Sequence, residues 1–220
     1  MNYPKTPGME LPFERCANFR ELGGYRGQNG RRVRHGVFFR GPALTNLSTA
    51  RDRALYRRLN IKTVFDLRPS SVRRACPDPL LDGVERIVGA SGGTGVFGAA
   101  QEAAPKDAGD AMAYREILRA AARGQTPLLI HGVSGRGATG IASMLLLKML
   151  GVSDEDAIGD YLLSNRYCAG AKLERENAEN FLARVRARYG TFENYLERAC
   201  GVGPQALAHV RERYLEAPQG

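Results

Sequence analysis

Apolar and polar positions along this chain alternate between two rhythms, and their order predicts an α/β protein. Leu128, Leu129 and Ile130 form an apolar run too short for a helix. It ends at His131, is followed by a glycine-rich turn over 132–140, and passes without a break into 141–150, which is apolar almost all round. The first piece reads as a buried strand and the last as the central helix of the domain, starting near Arg136. A second buried strand is predicted over 61–68, ending in the polar residues Asp66 and Arg68, and another over 84–88. Tyr25 and the stretch 33–39 flank Asn29-Gly30, a hairpin turn signal. Helical spacing predicts segments at 49–59, capped by Ser48 or Thr49, at 111–122, and at 157–166 behind a Ser153-Asp-Glu-Asp start. A charged helix follows over 173–189, with a last helical pair from 190 to about Tyr214, while 70–79 reads as a turn-rich connection. Strands interleaved with helices predict a central, mostly parallel sheet with helices on both faces.

Chemistry concentrates in the turn after His131. A tight loop between a buried strand and a helix start aims backbone N–H groups and the positive end of a helix dipole into one concavity, the arrangement that cradles anions. Residues 89–113 are rich in glycine and alanine and poor in core-forming side chains; they predict a flexible lid over that site or, equally, a mobile surface loop.

Composition fits one domain over 1–220, with 43% apolar residues. No apolar run is long enough to span a bilayer and residues 1–13 lack the apolar core of a signal peptide, so a cytoplasmic location is the default expectation. The net charge of +9, supplied largely by arginine, favours acidic ligands. Zinc-finger spacing, an aromatic RNA-recognition motif and a basic tail are all missing, which predicts no specific nucleic-acid partner. Cys16, Cys76, Cys168 and Cys200 are scattered without metal-ligand spacing and read as reduced and mostly structural; no metal or cofactor is predicted. Nothing in the sequence specifies an oligomeric state or a pathway.

The segment His131-Gly-Val-Ser-Gly-Arg-Gly-Ala-Thr-Gly140 resembles the phosphate-binding loop of cysteine-dependent tyrosine phosphatases. The likeness is to the bacterial branch with dual-specificity and lipid phosphatases, whose pattern is His-Cys-x-x-Gly-Lys-Asp-Arg-Thr-Gly. His131, Gly135, Thr139 and Gly140 match, and Arg136 stands at the lysine position. Gly132, Gly137 and Ala138 replace the cysteine, the aspartate and the arginine. Further stretches resemble the same branch: Asn18-Phe-Arg-Glu-Leu-Gly-Gly, Arg40-Gly-Pro-Ala-Leu, Asp66-Leu-Arg and Tyr161-Leu-Leu-Ser-Asn, so the similarity runs from about Asn18 to Tyr214.

The resemblance implies the tyrosine-phosphatase-like fold with its site at the loop. It also implies a phosphatase reaction that glycine and alanine cannot support, since the thiolate attacks phosphorus and the arginine grips two phosphoryl oxygens. Two functions are therefore expected. The first is a repurposed, cofactor-free enzyme of the cyclase or isomerase type, acting on a small organic substrate with Asp66 and His131 as candidate catalytic groups. The second is a pseudophosphatase that holds phosphorylated ligands without cleaving them; residual hydrolysis through Ser134, an activated water, or a displaced thiol of Cys16 or Cys168 is a third route. The expected ligand contacts are Arg20, Arg68, Gly132, Val133, Ser134, Gly135, Arg136, Gly137, Ala138 and Thr139.

Overall fold

In the computed structural model, which describes residues 6–79, 83–88 and 108–217, the period-two rhythm of the strands resolves into two cores. Along β5 (Leu128–His131), Leu128 and Ile130 point to one face of the sheet and Leu129 to the other. The neighbours obey the same rule: Phe38 and Phe39 of β2 (Phe38–Gly41) part to opposite cores, as do Phe65 and Val64 of β3 (Thr63–Asp66). Strands buried on both faces carry near-continuous apolar runs, which is why these segments looked alike in sequence.

β1 (Arg20–Glu21) and β4 (Glu85–Val88) complete a five-stranded sheet in the order β1-β2-β5-β3-β4. Among the described residues, β1 runs antiparallel to β2 and the other neighbouring strands of this sheet are parallel. The smaller core lies under α1 (Ala50–Arg58), where Phe19, Leu44, Tyr56 and Leu59 cover Phe39, Val64 and Leu129. The larger one gathers α3 (Ala108–Ala122), α4 (Gly137–Met149), α5 (Asp154–Tyr167), α6 (Arg175–Tyr189), α7 (Phe192–Arg198) and α8 (Pro204–Tyr214). As its sequence predicts, α4 is buried along almost its whole length. Thr49 and Ser153 cap α1 and α5 by accepting from the amides of Asp52 and Asp156.

Three expectations change. Residues 70–79 are not all turn, because Ser70–Ala75 form a short helix, α2, behind Pro69. The hairpin turn at Asn29 and Gly30, both at positive φ, is present with antiparallel pairing reduced to an Arg26–Arg32 bridge and the backbone bonds joining Gly24 and Tyr25 to Val33; the later part of the predicted strand, β2, pairs with β1 instead. Of the segment expected to form a lid, 108–113 lie within α3, and 89–107 are outside the described residues. Among the described residues no helix is long and apolar enough to cross a membrane.

Candidate anion-binding site

The loop at 132–136 leaves the sheet where β5 ends, its last tie to the ladder being the Gly132 amide donating to the Gly41 carbonyl at 3.3 Å. Two glycines allow the next step. Gly135 has φ +69°, and a Cβ there would lie 2.7 Å from the backbone of Gly41, while a Cβ on Gly41 would lie 2.8 Å from the ring of Phe19. Only bare backbone fits at this crossing.

The carbonyls of the loop are held from behind. Val133 O accepts from the Ala43 amide at 3.2 Å. Asn18, itself at φ 66°, donates from Nδ2 to Ser134 O (3.1 Å) and Gly135 O (3.0 Å), and Arg40 Nη2 donates to Gly135 O at 2.8 Å. With the carbonyls turned inward, the backbone N–H groups of residues 133–139 are left over: none donates to any acceptor among the described residues. They border a cavity of about 50 Å³ lined by residues 67–69 and 132–139 at the start of α4. Successive free amides at a helix start form a nest for an oxyanion.

Buried charge fixes this backing. Asp160 on α5 accepts from Arg20 Nη1 and Arg40 Nη1, each at 2.6 Å, and from the Tyr25 hydroxyl at 3.1 Å. Ser164 Oγ, one turn along the same helix, accepts from Arg40 Nη2 at 3.0 Å. Burial, with the charge of Arg20 adding to it, pulls the Arg40 guanidinium down to about 10, against the pull of Asp160; it stays protonated at neutral pH. Two guanidiniums share one carboxylate, which leaves net positive charge behind the loop, a field that favours anions.

A second cluster lies beside the first. Arg68 clamps Asp66 through Nε (2.9 Å) and Nη2 (2.7 Å) and reaches Asp78 Oδ2 at 2.7 Å, where Arg86 Nη2 also arrives at 2.5 Å. His131 Nε2 stands 3.3 Å from Asp78 Oδ2 and 3.8 Å from Asp66 Oδ1, and neither ring nitrogen makes a hydrogen bond among the described residues. Burial works against the charge on Asp78, but His131, Arg68 and Arg86 together outweigh it and hold the carboxyl below its ordinary value. Asp66, Asp78 and His131 bring donor atoms of the kind a divalent ion uses within 4.8 Å of one another. Both carboxylates are already neutralised by arginine, so the set is better satisfied as an ion-pair cluster.

These positions correct several expectations. Gly132, Val133, Ser134, Gly135, Gly137, Ala138 and Thr139 do line the cavity. Arg20 does not: it is fully buried and bonded to Asp160, Asn18 and Ser164. Arg136 and Arg68 border the cavity with their guanidiniums engaged elsewhere. Arg136 donates to the carbonyls of Ser164 (3.1 Å) and Cys168 (2.8 Å), to Asn165 Oδ1 and to Ala171 O, and so caps the end of α5. Asp66 and His131, the candidate catalytic pair, are fully buried and line no part of the cavity. Asp160, Ser164 and Asp78 were missed. For Asp160 and Ser164 the one sequence signal is an acid and a serine spaced i, i+4 on the apolar side of α5, beside Ala157 and Tyr161; Asp78, in the connection after α2, has none.

The displaced-thiol idea fares no better. Cys16 is buried, and burial followed by the charge of Asp52 pushes its thiol up to about 12. Cys168 lies 3.4 Å from Arg136 Nη1 and is not part of the cavity lining. Thiol labelling is expected to follow exposure: Cys76 first, Cys168 more slowly, and Cys16 and Cys200 only after denaturant is added. A time course with a chromogenic disulfide reagent and mass mapping checks this; early labelling of Cys16 contradicts it.

A mostly parallel α/β sheet with a free-amide nest between its central strand and a buried helix defines the class of protein. The chain belongs to the tyrosine phosphatase family, whose family model matches residues 11–216. A Cupriavidus necator protein named "Putative tyrosine-protein phosphatase" is 32% identical over 179 residues, a match that covers 71% of this chain and 63% of that protein's length. Among solved structures, the human tyrosine phosphatase-like serine/threonine/tyrosine-interacting protein aligns with a TM-score of 0.45 at 12% identity, over 70% of this chain and 93% of its own. The core catalytic domain of PP-IP phosphatase SIW14 from S. cerevisiae aligns with a TM-score of 0.42 at 16% identity, over 72% and 92%.

Proposed function

We propose that this protein captures a phosphorylated ligand in the loop over 132–139 without forming a phospho-enzyme. The observation that carries the reading is the row of backbone amides from 133 to 139, unpaired among the described residues in a segment that lines the cavity, with the carbonyls of 133–135 taken by Asn18, Arg40 and Ala43. Gly132 supplies no nucleophile and Ala138 no bidentate grip, so binding rests on amides and on the field of the buried arginines. Affinity is correspondingly modest, with a Kd on the order of 1 mM for inorganic phosphate.

The cyclase or isomerase alternative needs a proton-moving group at the reacting atoms. Asp66 and His131 stand behind the loop, which leaves the hydroxyls of Ser134 and Thr139. The cavity formed by the described residues is also well short of the roughly 300–1,000 Å³ that encloses a small organic substrate. Capture of a phosphate group is the better match to both facts.

Phosphorus NMR and calorimetric titration with inorganic phosphate at low ionic strength test the proposal. The expected result is saturable one-to-one binding that weakens as salt rises, with no turnover of an aryl phosphate. Absence of saturation, or hydrolysis that survives removal of Cys16 and Cys168, overturns it.

A further inference from the structure

We propose a second binding site, away from the loop, for a small molecule with an apolar body and an anionic head. It is the cavity beside α1 and the amino ends of β3 and β4, with a volume of about 440 Å³. That size lies in the range that holds a small organic ligand.

Its walls and rim divide by chemistry. Leu47, Tyr56 and Ile61 are buried and, with the half-buried Val84, form an apolar interior. Tyr56 lends its ring to that wall, while its hydroxyl is closed off from solvent and lies in the field of Asp78 and Arg86. Burial first, and the charge of Asp78 second, raise the phenol above its ordinary value, which keeps it a neutral donor.

The rim is cationic. Arg57 and Lys62 are exposed, and among the described residues they have no ion-pair partner and no carboxylate lines the cavity. The stretch 51–62 carries Arg51, Arg53, Arg57, Arg58 and Lys62 against a single acid of its own, Asp52, whose oxygens are taken by the amides of Glu14 and Arg15; Arg51 is paired with the Glu14 carboxylate at 3.2 Å, and Arg53 donates to the Leu47 and Ser48 carbonyls. An anionic head at the rim and an apolar body against the walls satisfy both surfaces together.

The site is separate from the phosphate-binding loop. Ile61 and Lys62 directly precede β3, at its amino end, whereas the loop follows the carboxyl end of β5, which runs parallel to β3. The inference does not depend on the function proposed for the loop.

Fluorescence titration of the full chain with 8-anilinonaphthalene-1-sulfonate tests it, with decanoate as competitor. The expected result is enhancement that saturates at one equivalent and is displaced by decanoate, but neither by decyltrimethylammonium nor by inorganic phosphate. In Arg57→Glu/Lys62→Glu, two exposed positions whose exchange leaves the thermal midpoint in place, the dissociation constant is expected to rise about tenfold or more. Tyr56→Phe, which keeps the ring against the cavity, is expected to leave the decanoate constant within about twofold. Unsaturable enhancement, displacement by phosphate, indifference to decanoate, or an unchanged constant in the double variant at an unchanged midpoint each overturns the proposal.

Discussion

Asp160→Asn is expected to lower the thermal midpoint by roughly 6–20 °C and to abolish phosphate binding. Asp160 is fully buried, and its two oxygens are held at 2.6 Å by Arg20 and Arg40. Burial alone would raise its carboxyl, but the charges of Arg20 and Arg40 and the bonds from Arg40 and Tyr25 win, and the group lies below the ordinary carboxylate value. Removing one partner of a buried ion pair typically costs about 3–5 kcal/mol because the other charge stays behind unpaired. For a domain of this size each kcal/mol moves the midpoint by about 2–4 °C. Function goes with stability here, since Arg40 and Asn18 are the groups that turn the loop carbonyls away from the cavity.

The same reasoning fixes a pH dependence. A carboxyl depressed in the folded state contributes stability that is present above its unfolded value of about 3.9 and is lost as pH falls through the lower folded value. Wild-type protein is therefore expected to lose stability as pH drops below about 4, and Asp160→Asn to show a flatter acid limb. Calorimetry at several pH values measures both effects. A midpoint within about 2 °C of wild type would mean that the buried network does not hold the loop.

The second large effect is a gain. Ala138→Arg is expected to tighten phosphate by about tenfold or more, because a bidentate guanidinium adds charge-assisted bonds where only amides now act. Combined with Gly132→Cys, it is expected to raise aryl-phosphate hydrolysis by at least about 10³-fold, since nucleophile and clamp act as a unit. A Cβ on Gly132 would lie 2.8 Å from the Thr139 hydroxyl and, among the described residues, meets no other atom within 4 Å beyond its chain neighbours, so the one adjustment the thiol requires is a shift of that hydroxyl. Position 138 lines the cavity, so the new arginine starts from its edge. Steady-state kinetics and mass detection of a phospho-cysteine adduct read the outcome. Wild-type protein that already matched the double variant would refute the assignment of Gly132 and Ala138.

The elements were legible in sequence to the extent that one periodicity dominated them. The run 128–130 and the helix after it were plain because both are apolar on every side, and the capped starts of α1 and α5 were plain because Thr49 and Ser153 serve their own local amides. α2 was hidden, since six residues dense in serine and arginine show no apolar face. At the site, the glycines and the helix start marked the loop. The partners of the arginines did not announce themselves, because Arg20 and Asp160 meet across 140 positions of chain.

By itself, then, the sequence determined which atoms exist at the loop: no sulfur at Gly132, no guanidinium at Ala138, and backbone able to turn at Gly135. Tertiary structure alone decided where the charges went. Arg20, Arg40, Arg68 and Arg136 are all available in principle to an anion, yet each is drawn to a fixed acceptor nearer than the cavity. Desolvation is the physical reason. A buried cation must be paired, and only folding sets which acceptor lies within reach.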